Sequence, residues 1–156
     1  MLILWLVMGA LSNAPAPAPS IVMVCVVAAS VGRFQNPELE SHAAEVRKRL
    51  EKDAKKPKHG LAVVDLDSGT CQLRVTIAEL TSRASGKGQT QLWGGVAHTK
   101  GETFSVLRAT LIVHEQPAGE LEGTAISDNP FMSVESDLVR AVREWIKANR
   151  ETILQN

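Results

Sequence analysis

Apolar and polar positions along this chain form several strand-like runs and two stripes at helical spacing. The first clear element is Ile21 to Ala29, an unbroken apolar run rich in Val. Such a run is typical of a strand covered on both faces, so we expect it inside a sheet. Asn36 and Pro37 then supply a helix cap and a proline at the first helical position. The apolar stripe of this helix consists of Leu39, Ala43, Val46, Leu50 and Ala54.

The carboxyl end of this first helix is basic. Lys52, Lys55 and Lys56 lie where cations offset the negative end of the helix dipole, and Pro57 forbids continuation. We interpret the cluster as a solvated helix end rather than as an anion site.

The centre of the chain predicts an antiparallel meander. Two short strands, Leu61 to Leu66 and Cys71 to Ile77, flank a turn at residues 67–70. Ser82 to Gly88 is polar and contains glycine, so we expect a loop there. Three further strands are predicted, with turns at Lys100-Gly101 and Gln116-Pro117-Ala118-Gly119; they are Gln91 to His98, Thr103 to Val113 and Glu120 to Ile126.

The candidate binding residues all lie on this predicted meander. A turn at Lys100-Gly101 places Trp93 opposite Arg108, which predicts a cation–π pair on the sheet. The hairpin end at His114-Glu115 faces Glu120-Leu121, where either a histidine–carboxylate cluster or a solvated turn is expected. The candidate binding residues are Arg83, Lys87, Trp93, Arg108 and His114.

A second helix closes the chain after Asn129-Pro130, with the apolar stripe Val134, Leu138, Val142, Trp145 and Ile146. The order of elements predicts an α+β fold, a two-layer sandwich in which a mainly antiparallel sheet of five to six strands carries two helices on one face. We expect one domain over residues 21–150 and a tail over residues 151–156.

The amino-terminal segment resembles an export signal. No charged residue precedes Arg33, and the apolar run Leu2 to Leu11 has the length of a signal-peptide core, too short to span a bilayer. We expect a signal peptide over residues 1–12, extending to 18 if the cut is later, and an Ala/Pro-rich linker over 13–20. The protein would then be extracytoplasmic, periplasmic or secreted, with no stable membrane span; a cytosolic chain with a buried first element is the alternative.

The composition and the spacing of the histidines argue against several kinds of binding partner. Seventeen Lys and Arg balance seventeen Asp and Glu, and there is no Tyr, so nucleic acid is not an expected partner. The histidines lack metal-ligand spacing, and we expect neither a metal nor a cofactor.

The chain has two cysteines. An exported chain could join Cys25 to Cys71 in a disulfide, although two buried free thiols are the preferred interpretation.

One motif points to catalysis. Asp65 and Asp67 follow an apolar strand and resemble the D-x-D site of haloacid dehalogenase-like enzymes, where the first carboxylate attacks phosphorus and the second is the acid/base. In this chain Ser68 intrudes and Gly69 stands where that motif wants Thr or Val. A strand followed by an Asp-Ser-Gly turn explains the same residues, and we prefer it.

The order of leader, Val-rich strand, helix, strands and closing helix resembles small exported bacterial α+β proteins without an assigned activity. The residues that carry this resemblance are Leu107 to Val113, Glu120 to Gly123 and Val142 to Asn149. The resemblance carries no function. We expect a non-catalytic module, secreted or of the cell envelope, that binds a protein partner through a sheet edge or through the loop at Ser82 to Gly88, with an envelope protein as the candidate. A small-molecule-binding domain is the first alternative, and a phosphoester hydrolase using Asp65 and Asp67 is the second.

Overall fold

The computed structural model describes residues 20–93, 96–126 and 133–155, with side chains in these ranges outside residues 84–102. Within them a five-stranded sheet carries two helices, which confirms the α+β class. The expected signal peptide, the linker up to residue 19 and the Asn129-Pro130 helix entry lie outside the described residues. The elements are β1 (Val22–Ala28), β2 (Ser30–Val31), β3 (Phe34–Gln35), α1 (Pro37–Ala54), β4 (Leu61–Val63), β5 (Leu73–Trp93), β6 (Val96–Val113), β7 (Gln116–Ile126) and α2 (Val134–Leu154), with short 3-10 turns at Pro57–His59 and Leu66–Ser68.

The sheet is mixed, with the strand order β4-β1-β5-β6-β7. β1 is parallel to both of its neighbours, β4 and β5, whereas β5, β6 and β7 form an antiparallel meander. The expected antiparallel pairing is found among β5, β6 and β7. β4 is parallel to β1 because α1 carries the chain back to the end of the sheet at which β1 begins. β2 and β3 form a separate two-stranded hairpin.

The strand β1 is interior, as its composition predicts. Val22, Val24 and Val26 are buried on the face that carries the helices, and Cys25 is buried on the opposite face. The core between the sheet and the helices also contains buried aliphatic side chains of α1, β4, β5, β6 and α2. They include Leu39, Val46, Leu50, Leu61, Leu73, Val75, Ile77, Leu107, Leu111, Leu138, Val142 and Ile146.

α1 begins at its predicted cap, and α2 begins at Ser133, a cap that the sequence analysis did not identify. Asn36 Oδ1 accepts hydrogen bonds from the backbone N–H groups of Glu38 and Leu39 at 3.0 and 3.4 Å. Ser133 Oγ accepts from Ser136 N at 3.1 Å and starts α2. α2 ends at Leu154, beyond the expected domain end at residue 150, because Ile153 is fully buried. Of the helices in the described ranges, none is long and apolar enough to cross a membrane.

α1 and α2 lie side by side and run in the same direction. Their polar contacts follow one another in the order of both helices. His42 Nδ1 lies 2.6 Å from Glu135 Oε1, Arg49 Nη1 donates to Ser136 Oγ at 2.6 Å, and Arg143 Nη1 lies 3.1 Å from Asp53 Oδ2. Both carboxyl ends therefore lie at the same end of the fold.

The long hairpin β5–β6 replaces three expected features. Its backbone pairs from Leu73↔Val113 to Trp93↔Val96, so the expected loop at Ser82 to Gly88 and the turn at Lys100-Gly101 are wrong. The pairing extends to Trp93 and Val96, and the sequence between them is Gly-Gly, a stronger turn signal than Lys-Gly. Moving the turn shifts the register, so that Glu79 lies opposite Arg108 and the predicted Trp93–Arg108 pair does not form.

The next turn is also displaced. β6 and β7 are joined by His114 and Glu115, which have φ angles of 47° and 63°, and not by Gln116 to Gly119. Positive φ at both central residues gives the twist that suits a two-residue hairpin. Gln116 to Gly119 belong to β7, where a register shift leaves Ala118 unpaired and the edge position accommodates Pro117.

Cys25 and Cys71 are joined by a disulfide with a Cα–Cα distance of 5.7 Å, so the preferred interpretation of two free thiols is wrong. Cys71 lies just before β5, and β5 pairs with β1, which brings the two sulfur atoms together on the helix-free side of the sheet. The bond ties the segment that enters β5 to the neighbouring strand β1.

We expect reduction of this disulfide to lower the free energy of unfolding by about 4 kcal/mol, because the unfolded chain regains the freedom of the closed loop. Urea unfolding with and without reductant measures the change. A Cys25→Ala/Cys71→Ala variant is the control and should be insensitive to reductant. Equal stability of the oxidised and reduced wild-type protein would contradict this account.

Gly123 allows α2 to approach the sheet. A methyl group at this position would overlap the Val134 carbonyl oxygen and the Leu138 backbone N and Cβ. We expect Gly123→Ala to cost about 3 kcal/mol because backbone atoms must move. Gly69→Ala, at φ +71° with nothing within 4 Å of the added carbon, should cost only about 1 kcal/mol. Urea unfolding measures both changes. Similar losses of unfolding free energy in the two variants would show that the close approach of α2 to Gly123 is unimportant.

Candidate functional site

A cleft opens at the carboxyl end of β1, between the β2–β3 hairpin and the first half of α1. Its cavity measures about 360 Å³. Small apolar residues form most of its wall, and polar groups of the hairpin and the helix lie at its margin. The lining residues are Val26, Val27, Ala28, Ala29, Ser30, Gln35, Glu40, Ala43, Ala44 and Arg47.

Arg47 links this cleft to the segment after β4. Its Nη1 lies 2.7 Å from Asp65 Oδ1, and its Nε donates to Glu51 Oε1 at 2.9 Å. The hydrogen bonds to Glu51 and to Asp65 raise the pKa of the Arg47 guanidinium above its ordinary range. The cleft therefore has a permanent cation at its margin, already neutralised by two carboxylates.

The β2–β3 hairpin forms the outer lip of the cleft and exposes two apolar side chains. Val31 and Phe34 are directly opposite each other in the hairpin, and each has 82% of its surface exposed. Gly32, with φ +62°, and Arg33 form the two-residue turn between them. Sequence reasoning missed this site, although Val-Gly-Arg-Phe carries a hairpin signal with glycine at a turn position.

The two aspartates of the D-x-D motif lie apart from the cavity wall. Asp65, with 73% of its side chain exposed, contacts Arg47, and Asp67 is exposed within the 3-10 turn Leu66–Ser68. Ser68 Oγ contacts the Thr70 hydroxyl at 2.8 Å and donates to the Asp65 carbonyl oxygen at 2.7 Å. The local hydrogen bonds are those of an Asp-Ser-Gly turn, in agreement with the preferred interpretation.

The candidate binding residues on the meander are dispersed. Arg83 lies opposite Phe104, with its guanidinium carbon 5.9 Å from the ring centroid. Arg108 donates to Glu122 at 2.9 Å and to Glu79 at 3.3 Å, and the bond to Glu122 raises the pKa of its guanidinium. The side chains of the other two meander candidates, Lys87 and Trp93, lie outside the described residues.

The His114 side chain stabilises the fold and is not part of a carboxylate cluster. Its Nε2 donates to the Ile153 carbonyl oxygen at 2.7 Å and so ties the β6–β7 turn to the end of α2. Glu120 lies opposite Thr110 along the strand, not across a turn from His114, so the conceivable histidine–carboxylate cluster does not form. Among the residues that the structure describes, no three His, Cys, Asp or Glu side chains are grouped as metal ligands.

Comparison with known proteins gives similarity of fold alone. No protein-family model matches the chain, and no curated protein matches its sequence. Among solved structures, PelC from Paraburkholderia phytofirmans, described as a dodecamer, has a TM-score of 0.41 and 14% identity over 93% of this chain and 96% of that chain. The rare lipoprotein B from Shewanella oneidensis has a TM-score of 0.38 and 12% identity over 85% of this chain and 91% of that chain.

Asp65→Asn tests the catalytic alternative. We expect a change in unfolding free energy within about 0.5 kcal/mol, because exposed ion pairs contribute little. We also expect the wild-type protein and Asp65→Asn to hydrolyse p-nitrophenyl phosphate no faster than buffer. Asp53→Asn is the stability control; its carboxylate is 12% exposed and pairs with Arg143, so it should cost about 1–3 kcal/mol. Wild-type hydrolysis that Asp65→Asn abolishes would establish the enzyme hypothesis.

Proposed function

We propose that this protein is a non-catalytic extracytoplasmic module, secreted or of the cell envelope, that binds a protein partner through the β2–β3 hairpin and its cleft. The observation that carries the proposal is the exposure of Val31 and Phe34, 82% each, as neighbours on one hairpin. Adjacent apolar side chains that are exposed to solvent on a hairpin are typical of an interaction surface. An aromatic residue at such a position is suited to act as a binding anchor.

The chemistry around the hairpin favours a protein over a lipid surface. Arg33 is the single cation of the tip, and Glu38 and Glu40 follow it in the first turn of α1. Binding to anionic lipid needs a basic surplus, which this end lacks. The cleft below presents small apolar side chains with Gln35, Glu40 and Arg47 at its margin, a mixture that suits a peptide segment with apolar side chains and a polar backbone.

The proposed compartment is supported by the disulfide and by the uncharged apolar start of the chain. Disulfides persist in oxidising compartments and are rare in the cytosol. The run Leu2 to Leu11 has the features of a signal-peptide core. The two observations are independent, since one is a contact in the fold and the other a sequence pattern.

The cleft also supports a second candidate function, the binding of a small molecule. A cavity of about 360 Å³ lies within the size range of small-molecule sites. The hairpin distinguishes the two candidates, because a small ligand held in the cleft does not require Val31 and Phe34 to remain exposed on its outer lip.

The experiment places a photo-crosslinking amino acid at position 34 or, as a control, at position 66, whose leucine is 43% exposed at a separate site. In cells that express the protein naturally, we expect one discrete protein adduct from position 34 and none from position 66. Val31→Ser should reduce that adduct by about tenfold, as expected for loss of an anchor contact. Urea unfolding should be unchanged, since exposed substitutions cost within about 0.5 kcal/mol.

Three results would contradict the proposal. They are no adduct at position 34, an equal adduct at position 66, and an adduct with lipid instead of protein. A shift in melting temperature with a small metabolite, unaffected by Val31→Ser, would favour the small-molecule alternative.

A further inference from the structure

A second cavity lies at the opposite end of the fold, beside the carboxyl-terminal part of α2. It measures about 450 Å³ and is lined by Lys58, His59, Arg143, Glu144, Lys147 and Arg150. Four of these six residues are permanent cations and one is an acid. The chain as a whole is neutral, so the positive charge of this cavity is a local surplus and not a reflection of composition.

Two of the cations are free to bind a ligand. Lys58 and Lys147 are exposed, and neither has a hydrogen-bond or ion-pair partner among the described residues. Arg143 is partly neutralised by Asp53, 3.1 Å away. The lysines therefore supply positive charge that the fold itself does not use.

Arg150 holds the floor of the cavity in place. Its Nη1 donates to the carbonyl oxygens of Ser20 and Gly60 at 2.7 and 3.0 Å, and its Nη2 donates to His59 O at 2.8 Å. A Cβ at Gly60 would lie 2.7 Å from both Nη atoms, so a side chain there would displace the Arg150 guanidinium from its present position. Neutral carbonyls leave the guanidinium charge uncompensated, since no carboxylate within the described ranges pairs with Arg150.

His59 lines the cavity, and its Nε2 atom is buried, with no hydrogen-bond partner among the described residues. Because this atom has no contact with solvent, it does not face the open cavity. The positive charge that a ligand would meet there comes from the lysines and arginines.

From this geometry we infer a binding site for a small polyanion that carries phosphate groups, held by Lys58 and Lys147 with Arg143 and Arg150 behind them. Charge-assisted hydrogen bonds from several cations to phosphate oxygens provide the affinity. The volume suits a diphosphate or a phosphorylated small molecule, whether free or as the headgroup of a lipid. The site is independent of the proposed hairpin function, because it lies at the other end of the sheet.

The test is calorimetric titration of the full folded chain with inorganic pyrophosphate at low ionic strength. We expect saturable binding that weakens as salt is added, because both partners are charged. Lys58→Gln/Lys147→Gln should weaken binding by about tenfold or more, as removal of charged hydrogen bonds does. Lys48→Gln/Lys52→Gln, on a different surface of α1, removes the same net charge. In buffer of about 0.15 M salt it should leave the affinity within about twofold, since exposed distant charges are largely screened at that ionic strength.

Vesicles containing phosphatidylglycerol distinguish the two sources of phosphate. Sedimentation with these vesicles that is lost in Lys58→Gln/Lys147→Gln would identify a lipid headgroup, whereas pyrophosphate binding without sedimentation would identify a soluble phosphate. Both results support the site. Absence of binding to either probe, or equal weakening by the two double variants, would overturn it. The lysines could instead serve only to offset the negative helix ends. In that case Lys58→Gln/Lys147→Gln should lower the free energy of unfolding in urea and have the same affinity for pyrophosphate as Lys48→Gln/Lys52→Gln. That result would also overturn the inference.

Discussion

The interior position of β1 in the sheet, with its valine side chains buried under the helices, is the constraint on which the rest of the structure depends. Val22, Val24 and Val26 are covered by the helices, while Cys25 is bonded to Cys71 on the other face. The backbone N–H and C=O groups of a buried strand must be hydrogen-bonded on both edges, and β4 and β5 pair with β1 there, both in parallel. The parallel pairs in turn require a crossover, which α1 provides between β1 and β4.

This arrangement gives the molecule two chemically different ends. β1 delivers the chain to the β2–β3 hairpin at one end, where apolar side chains are exposed and acidic residues follow. Because α1 and α2 run in the same direction, their negative carboxyl ends meet at the other end, where the basic cavity lies. Cations there stabilise the helix ends, but Lys58 lies beyond α1 and Lys147 lies two turns before the end of α2. Their charge therefore exceeds what the helix termini require, and this excess distinguishes a ligand site from simple dipole compensation.

The polar contacts of the fold explain why several candidate residues are unavailable for binding. Arg108 is held between Glu79 and Glu122, and His114 is bonded to the end of α2. Both residues look like surface binding groups in the sequence, yet each already has its partners. By contrast, Val31 and Phe34 resemble ordinary strand residues in the sequence but lie on a hairpin that nothing in the described chain covers.

The sequence by itself determined the elements whose signals are local. The cap at Asn36, the buried stripe from Leu39 to Leu50 and the interior position of β1 follow from hydrophobic spacing and capping chemistry, and the structure has all three. Tertiary structure alone decided the hairpin register, because a Gly-Gly and a Lys-Gly turn compete and a shift changes every opposing pair. It also decided the disulfide and the basic cavity, since each joins residues far apart in the chain. Cys25 and Cys71 meet because β5 pairs with β1, and Lys58 and Lys147 share a cavity because the two helices are parallel.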